Sequence, residues 1–510
     1  MTLWTIAGII LVLALIIGVG LLSGRKVRDA KDFVTGGGKA GPLLVCGTIM
    51  GALVSSQATI GTAQLSFHYG LAAWWFTLGS GIGCLVLGLG YARPLRHSGC
   101  ITELQIISKS FGTAAGSLGS VLCSTGIFIS VLAQVVACSG LVTTLFPQVS
   151  LPAATLIAII IMCFYVVFGG AWGAGMGGVV KLVLLYAASV TGMVYVLVVS
   201  DGPTGLLSGL NDLLCGTELG LIQQSANGLN DLTDAAGIAA RFENLVARGT
   251  MKDIGSGVSL LVGVLSTQTY AQAIWSASSD GKARGGALLS ALLIPPLGIA
   301  GICIGLFMRS HYILQAEADA LLAAGKAVPD LPVLASTIQV FPAFVLNHLP
   351  PLFGGIVLGT LLITSVGGGA GLSLGMATIL VKDIYKRVSA RIDNEKKELA
   401  ATRVTLAGIL LIAALVACLV PRSTINDLGF LSMGLRGSVV LIPMSCALWV
   451  RGEMDRKCVL AAIVLAPAAV LAGKLLAIPF DSLYLGILTS ALCCLLGRLL
   501  GGQHSAVRQV

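Results

Sequence analysis

Long apolar segments alternate with short polar segments along almost the whole chain, and this pattern predicts its architecture. Each apolar segment is close to the ~20 residues with which a helix crosses a bilayer. We therefore predict an all-α polytopic membrane protein with about thirteen transmembrane spans. The predicted spans lie at residues 3–22, 42–67, 71–92, 113–146, 151–170, 174–199, 255–276, 286–309, 351–379, 404–420, 427–449, 458–477 and 483–500. The first has no basic region before it and no convincing cleavage site, so we expect a retained span.

The composition is also that of a membrane protein. Of the 510 residues, 56% are hydrophobic and 10% are charged, whereas about 25% of a typical soluble chain is charged. The net charge of +9 comes mainly from basic residues in short loops, so it does not indicate a nucleic-acid partner. The sequence contains no nucleotide-binding glycine loop, catalytic motif or metal-ligand spacing. We therefore expect neither an enzyme nor a cofactor.

The charges of the loops predict an orientation. Basic residues concentrate in the loops after the first, third, seventh, ninth and eleventh predicted spans. Such loops stay in the cytoplasm, which places the N-terminus outside and the C-terminus inside. Loop 201–254, with seven acidic and three basic residues, then lies outside. We expect an integral protein of the plasma (inner) membrane.

The second predicted span is interrupted by polar residues between Gly51 and Gly61. Ser55, Ser56, Gln57 and Thr59 are costly in hydrocarbon unless they line a cavity or bond within the protein. The two flanking glycines weaken the helix on both sides. The stretch could be a small-residue packing face, or it could line a solute path.

A second interruption, in the seventh span, favours the solute path. It contains Thr267, Gln268 and Tyr270. Corresponding polar breaks in the two halves of a transporter indicate a binding site between them. Gln134 in the fourth span and Trp75 in the third would add a hydrogen-bonding group and an apolar wall.

Two basic residues lie inside predicted spans, and such residues are functional candidates. Lys181 could reach the cytoplasmic face with its long side chain or could have a functional role. Arg436 lies too deep for that; it could bond to the carbonyls of a broken helix, or bind a substrate carboxylate with its planar fork. No acidic residue sits convincingly within a core span to neutralise them. This favours an anionic or zwitterionic solute over a neutral sugar.

Four phrases of the sequence, taken in order, resemble the sodium:solute symporter family. They are GGGKAGPLLVCGTIMGALVSSQATIGTAQLSFHYGL at 36–71, ITELQIISKSFG at 101–112, FGGAWGAGMGGVVK at 168–181 and VKDIYKR at 381–387. The resemblance implies a LeuT-like core of two inverted repeats, each of five helices. The implied divisions are a leading span at 1–30, the first repeat at 31–200, an extracellular loop at 201–254, the second repeat at 255–450, and two trailing spans with a short cytoplasmic tail at 451–510.

The resemblance also implies a sodium site, from which this chain departs. The family's backbone carbonyls fall on Gly51 and Val54. Its adjacent Ser-Ser or Ser-Thr pair lies fifteen residues before the aspartate of the DIYK phrase, here Asp383. That position is Gly368, preceded by Gly367, so the two hydroxyls are missing.

Other residues could take over the cation site. Thr364 and Ser365 lie one turn earlier and could substitute only if the helix register slips. Where the family usually has a glutamine in the sixth span, this chain has Lys181. Its ammonium could occupy the space of the sodium ion, which would make the protein proton-coupled or independent of sodium.

We therefore expect a secondary active transporter that works by alternating access on a small, carboxylate-bearing solute such as an amino or organic acid. The alternative is a membrane solute sensor with a transporter-like fold. The expected partners are the solute, a coupling cation (sodium or a proton) and the lipid bilayer. The residues expected to hold the solute are Ser55, Ser56, Gln57, Thr59, Trp75, Gln134, Thr267, Gln268, Tyr270 and Arg436, and those expected at the cation site are Gly51, Val54, Lys181, Thr364, Ser365, Gly367 and Gly368.

Overall fold

The computed structural model describes residues 2–24, 36–167, 170–216, 240–386, 395–419, 425–450 and 454–507. Helices account for nearly all of these residues. Those of the first half are α1 Leu3–Gly24, α2 Pro42–Leu53, α3 Ile60–Tyr69, α4 Trp75–Val86, α5 Ala92–His97, α6 Glu103–Phe111, α7 Thr113–Leu145, α8 Leu151–Val167, α9 Gly170–Val199 and α10 Gly202–Gly216.

The second half has the same character and adds one short pair of parallel strands. Its elements are α11 Thr250–Leu265, α12 Gln268–Ser276, α13 Asp280–His311, β1 Ile313–Leu314, α14 Gln315–Ala323, β2 Val333–Leu334, α15 Val340–His348, α16 Pro351–Ile379, α17 Glu395–Ala417, α18 Ile425–Trp449, α19 Arg456–Leu475 and α20 Leu483–Val507.

The prediction of an all-α membrane protein is confirmed. Nine helical segments in the described part of the chain are long and apolar enough to cross a membrane. Three shorter apolar helices, Leu3–Val19, Pro42–Leu53 and Leu151–Tyr165, fall at other predicted spans. The number of thirteen spans, the orientation and the division into repeats remain predictions.

Two helices are broken where the sequence predicts interruptions. α2 ends at Leu53, and α3 begins at Ile60 after a stretch of turns. α11 ends at Leu265, and α12 begins at Gln268. The half-helices α2 and α12 contact each other and both contact α16. The two breaks therefore lie in one bundle, close to the same long helix.

The first break changes the hydrogen bonds at the end of α2. In an unbroken helix the amide of Ser55 would bond to the carbonyl of Gly51, four residues earlier. Here the Ser55 amide bonds instead to the carbonyl of Leu53, at 2.9 Å. The Gly51 carbonyl is thereby released from the helix ladder, inside the protein and away from water.

Glycines allow several helices to approach closely. The leading helix α1 packs against α16 at Gly8, where an added Cβ would lie 2.5 Å from the carbonyl oxygen of Leu352 and 2.7 Å from the amide nitrogen of Ile356. Gly18 on the same helix faces open space. A side chain is therefore excluded at Gly8 by backbone atoms, which cannot move aside alone.

We expect Gly8→Ala to lower the thermal stability of the purified protein, because the added methyl group separates α1 from α16. Overpacking of this kind costs about 1–3 kcal/mol. Gly18→Ala is the matched control and should leave the denaturation midpoint unchanged or raise it slightly. Equal midpoints for the two variants would contradict the close packing of α1 on α16.

Candidate functional site

The first break is joined to α7 by the amide of Gln134. Its Oε1 accepts hydrogen bonds from Ser56 Oγ at 2.6 Å and Ser56 N at 3.3 Å, and its Nε2 donates to Ser55 Oγ at 3.1 Å. All three residues are buried. One amide side chain thus provides hydrogen-bond partners for both serines of the break, which are buried away from water.

Gln57 and Thr59 turn to other partners. Gln57 Nε2 donates to the carbonyl of Ile425, at the start of α18, at 3.5 Å. Its amide also lies against Gly429, where a Cβ would collide with it. Thr59 Oγ1 donates to the carbonyl of Ser55 at 3.2 Å, within the break itself. The break is therefore held from α18 as well as from α7.

The ammonium of Lys181 takes up the released carbonyl of Gly51. Lys181 Nζ lies 2.7 Å from Gly51 O and 3.4 Å from Thr364 O. The side chain is 1% exposed. The carbonyl end of a helix carries partial negative charge, so a buried cation is stabilised here. Lys181 does not reach out to a membrane face in this arrangement.

The α16 residues around this ammonium include no side-chain oxygen that points to it. Thr364 Oγ1 donates to the carbonyl of Thr360 at 2.7 Å, and Ser365 Oγ donates to that of Leu361 at 3.2 Å. Both hydroxyls are thus bonded within their own helix, a common use of Ser and Thr in spans. Thr364 contacts the lysine through its backbone carbonyl alone.

The two glycines of α16 differ in their surroundings. An added Cβ on Gly367 would lie 3.6 Å from Lys181 Nζ and 3.5 Å from Gly51 O, which is ordinary contact. An added Cβ on Gly368 would lie 2.6 Å from the Cβ of Ser55. The close approach of α16 to the break therefore excludes a serine or threonine at Gly368.

Among the described residues, Val54 and Trp75 make no side-chain hydrogen bond to the Lys181 contact; their hydrogen bonds are to other groups. Val54 follows the last residue of α2, and its amide donates to Met50 O at 2.9 Å. Trp75 is partly exposed, and its indole Nε1 donates to the carbonyl of Leu245 at 2.7 Å. The tryptophan thus packs against the segment before α11, away from the first break.

The polar side chains of the second break, between α11 and α12, have partners elsewhere in the molecule. Thr267 Oγ1 donates to the carbonyl of Gly263 within its own chain segment. Gln268 Nε2 donates to Ile101 O at 2.8 Å, and Gln268 Oε1 accepts from Glu103 N at 3.1 Å. Gln268 therefore binds the start of α6 and does not contact the first break.

The start of α6 is also hydrogen-bonded to the π-helical turn Leu380–Tyr385 that follows α16. Thr102 Oγ1 lies 2.8 Å and Gln105 Nε2 lies 3.0 Å from carboxylate oxygens of Asp383. Thr102 in addition caps α6 by accepting from the amide of Gln105 at 3.1 Å. The start of α6 is therefore hydrogen-bonded to α12 through Gln268 and to the turn after α16 through Asp383.

Arg436 lies in the middle of α18 with a guanidinium that is largely without partners. The residue is fully buried. Its Nη2 contacts Met433 Sδ, while Nε and Nη1 have no hydrogen-bond partner among the described residues. Tyr270, also buried, lies within electrostatic range of it. Buried charged groups without partners are rare and call for an explanation.

Glu103, which the sequence analysis does not select, is the acidic residue near Arg436. It lies in α6, outside the apolar spans, and is buried. Its Oε2 has no hydrogen-bond partner in the described part of the chain. Burial raises the pKa of Glu103 to about 8, and the charge of Arg436 lowers it by a smaller amount. Its only sequence signal is its place in the ITELQ phrase, between two spans.

We expect Gly368→Ser to destabilise the protein, since its Cβ would overlap Ser55 at the break. The expected loss is about 1–3 kcal/mol. Gly367→Ser, one residue earlier, should lose clearly less stability, because an added Cβ there meets its nearest atoms at 3.5 Å. Thermal denaturation of the two purified variants measures the difference, and an equal loss would contradict the described approach of α16.

The sequence matches the family model described as the sodium:solute symporter family over residues 33–451. An "Uncharacterized symporter YwcA" of Bacillus subtilis is 28% identical over 184 residues, which are 34% of this chain and 35% of that protein. "High-affinity choline transporter 1" of Drosophila melanogaster is 23% identical over 437 residues, 82% of this chain and 62% of that protein. The chain thus spans about a third and about three-fifths of the length of these two relatives.

Solved structures show the same fold. A Na+-coupled sialic acid symporter in a substrate-bound, outward-open state is similar with a TM-score of 0.73 at 14% identity, covering 98% of each chain. Mhp1, a nucleobase-cation-symport-1 family transporter, has a TM-score of 0.54 at 11% identity, covering 94% of this chain and 96% of its own. The predicted LeuT-like fold is confirmed by these similarities.

Family and fold agree with each other. The named relatives are symporters or transporters, and none is an enzyme. The apolar helices make this an integral membrane protein, and a plasma-membrane location is consistent with the relatives. Because the family model covers most of the 510 residues, the chain belongs to the sodium:solute symporter family.

Proposed function

We propose that this protein is a secondary active transporter for a small, carboxylate-bearing solute, working by alternating access, with the ammonium of Lys181 in place of the sodium ion. Membership of a symporter family and the fold of known symporters support the transport activity. The single observation that carries the departure from sodium is the 2.7 Å contact between Lys181 Nζ and Gly51 O.

The cation substitution follows from the physical requirements of the site. The carbonyl end of a broken half-helix attracts a cation, and transporters of this fold use it for Na⁺ or H⁺. An ammonium is permanently attached, so it supplies the positive charge without binding an ion. A sodium ion at the same carbonyl would be adjacent to this charge and would be repelled. The two absent hydroxyls at Gly367 and Gly368 support the same conclusion.

The charge of the binding region supports an anionic or zwitterionic solute. Two guanidinium nitrogens of Arg436, Nε and Nη1, have no partner among the described residues, and a carboxylate is an acceptor that arginine binds strongly. The choline transporters among the relatives are named for a cation. Two buried positive side chains, Lys181 and Arg436, would disfavour a cationic solute here.

The polar residues of the breaks would complete the solute site. In this structure Gln134, Ser55 and Ser56 bond to one another. A solute with polar groups could replace these bonds on binding without leaving any group unsatisfied. Gln57 and Thr59 in the first break, Thr267, Gln268 and Tyr270 at the second, and Trp75 further out are proposed to line the path of the solute.

The proposal is tested by uptake into proteoliposomes, with a labelled pool of amino acids and small organic acids as the probe. We expect uptake in wild type to be indifferent to an imposed sodium gradient. Lys181→Ala should lower uptake about tenfold or more, since a charge-assisted hydrogen bond is worth about 1.5–3 kcal/mol. Lys474→Ala removes an exposed lysine of α19 and should transport like wild type.

Two results would contradict the proposal. Sodium-driven uptake that survives in Lys181→Ala would restore a sodium mechanism with a shifted site. Saturable binding of a pool member with no flux under any gradient would favour the solute sensor instead.

We also expect sodium dependence to be restorable. Lys181→Ala combined with Gly367→Ser removes the ammonium and adds a hydroxyl where there is room for a side chain. Sodium should then stimulate uptake about fivefold or more, a typical coupling effect. The single variant Gly367→Ser, which keeps the ammonium, is the control and should show no stimulation.

A further inference from the structure

The carboxyl of Glu103 differs from the other buried carboxyl groups that the structure describes. Each of the others accepts a hydrogen bond from a basic or polar side chain. These pairs are Asp253 with Arg248 at 2.6 Å, Glu317 with Arg309 at 2.9 Å, Asp383 with Thr102 at 2.8 Å and Glu398 with Lys382 at 2.5 Å. Glu103 Oε2 has no partner in the described part of the chain. A buried carboxylate in that state would be costly, whereas a neutral carboxyl group is tolerated.

Glu103 and Arg436 lie on two helices in contact, α6 and α18, and are close enough for their charges to interact. Arg436 lowers the pKa of Glu103, and both charges act on Cys123 of α7, which is fully buried. The other titratable neighbour whose charge couples to Glu103 is Tyr91, just before α5. Among the described residues, the buried ion pairs do not include one between Glu103 and Arg436, and each of these two side chains has polar atoms without partners. Because α6 and α18 are in contact, a relative movement of the two helices could bring the two charges together.

The position of Glu103 links it to opening of the bundle. It is the first residue of α6, and its amide donates to Gln268 Oε1 at 3.1 Å. The residue before it, Thr102, is bonded to Asp383. A movement that separates α6 from α12 and from the turn that carries Asp383 would break these bonds and bring water to the carboxyl. If the proposed alternating-access cycle includes this movement, it changes the environment of Glu103.

We propose that Glu103 binds a proton that is coupled to the solute, because its ionised carboxylate and the carboxylate of the solute compete for the guanidinium of Arg436. This inference rests on the proposed function, in which Arg436 binds a carboxylate. With a proton on Glu103, Arg436 is free for the solute. When Glu103 loses its proton to water, its carboxylate pairs with Arg436 and the solute is released.

The direction of the effect follows from the burial of Glu103. Burial raises the pKa of its carboxyl to about 8, so that the group is mainly neutral at pH 7. On contact with water the pKa returns toward about 4.3, the ordinary value of glutamate, and the proton leaves. Binding of solute and binding of the proton therefore favour each other, and this coupling is reciprocal.

The first test is spectroscopic and needs no solute. Infrared difference spectra of the purified full-length protein in lipid follow the carbonyl stretch of protonated carboxyl groups against pH. Wild type and the exposed-acid control Glu243→Gln should lose one such band as the pH rises through about 8. Glu103→Gln, which is nearly isosteric, should lack that band.

A second variant tests the role of Arg436. Arg436→Gln removes the positive charge that favours the carboxylate, so the midpoint of the band should move to higher pH. The proposal is overturned if the band is absent in wild type, if it persists in Glu103→Gln, or if Arg436→Gln leaves or lowers the midpoint.

The second test measures the coupling by exchange in proteoliposomes at equal pH on both sides, with the same labelled pool of amino and organic acids. In wild type the apparent affinity should weaken by up to about tenfold for each pH unit above the Glu103 midpoint, the limit for one linked proton. In Glu103→Gln the affinity should not vary over this range. An unchanged pH dependence in that variant would overturn the inference.

The two tests separate this inference from the proposed function. If wild type exchanges no member of the pool, the proposed carboxylate solute is contradicted, and the infrared band still decides whether Glu103 carries the proton. If exchange occurs and the affinity of wild type is independent of pH, the proposed function stands and the coupling through Glu103 is refuted.

Discussion

The contact between the ammonium of Lys181 and the carbonyl of Gly51 is the interaction on which the centre of this molecule depends. A helix that breaks inside a membrane exposes carbonyl groups for which no water is available. Lys181 satisfies one of them at 2.7 Å and, with Thr364 at 3.4 Å, joins α9, α2 and α16 at one point. Removing the lysine side chain would leave the Gly51 carbonyl buried and without this partner, so the broken helix and the lysine stabilise each other.

The chain shares its fold with solved symporters, but a shared fold does not specify which residues bind the coupling ion. A TM-score of 0.73 at 14% identity means that the same helix arrangement forms from largely different residues. The proposed cation site, in contrast, depends on a few side chains and on two glycines of α16. One of them, Gly368, is required by the approach of Ser55, so that the same packing that forms the break also excludes a hydroxyl ligand.

The two breaks are used differently. The polar groups of the first are satisfied by Gln134 within the bundle centre. The second directs Gln268 to the start of α6, where Glu103 and Arg436 keep polar atoms without partners. The buried polar atoms without partners on Glu103 and Arg436 thus lie beside the hydrogen bond between Gln268 and α6. Burying these groups costs free energy, and the proposed cycle accounts for that cost if Glu103 and Arg436 pair in another step of transport.

Hydropathy and helix-breaking residues are local properties, so the sequence alone was enough to predict the helices and the two breaks. The role of Lys181 at a cation position remains a prediction. The partners of the polar side chains depend on tertiary packing. Gln134 meets Ser56 across 78 residues of sequence, and Gln268 meets Glu103 across 165. No pattern along the chain specifies such pairs, since they depend on how the helices rotate and cross when they pack. For that reason the contact of Gln268 with the start of α6, and the proximity of Glu103 to Arg436, arise only when α6 packs against α7 and α18.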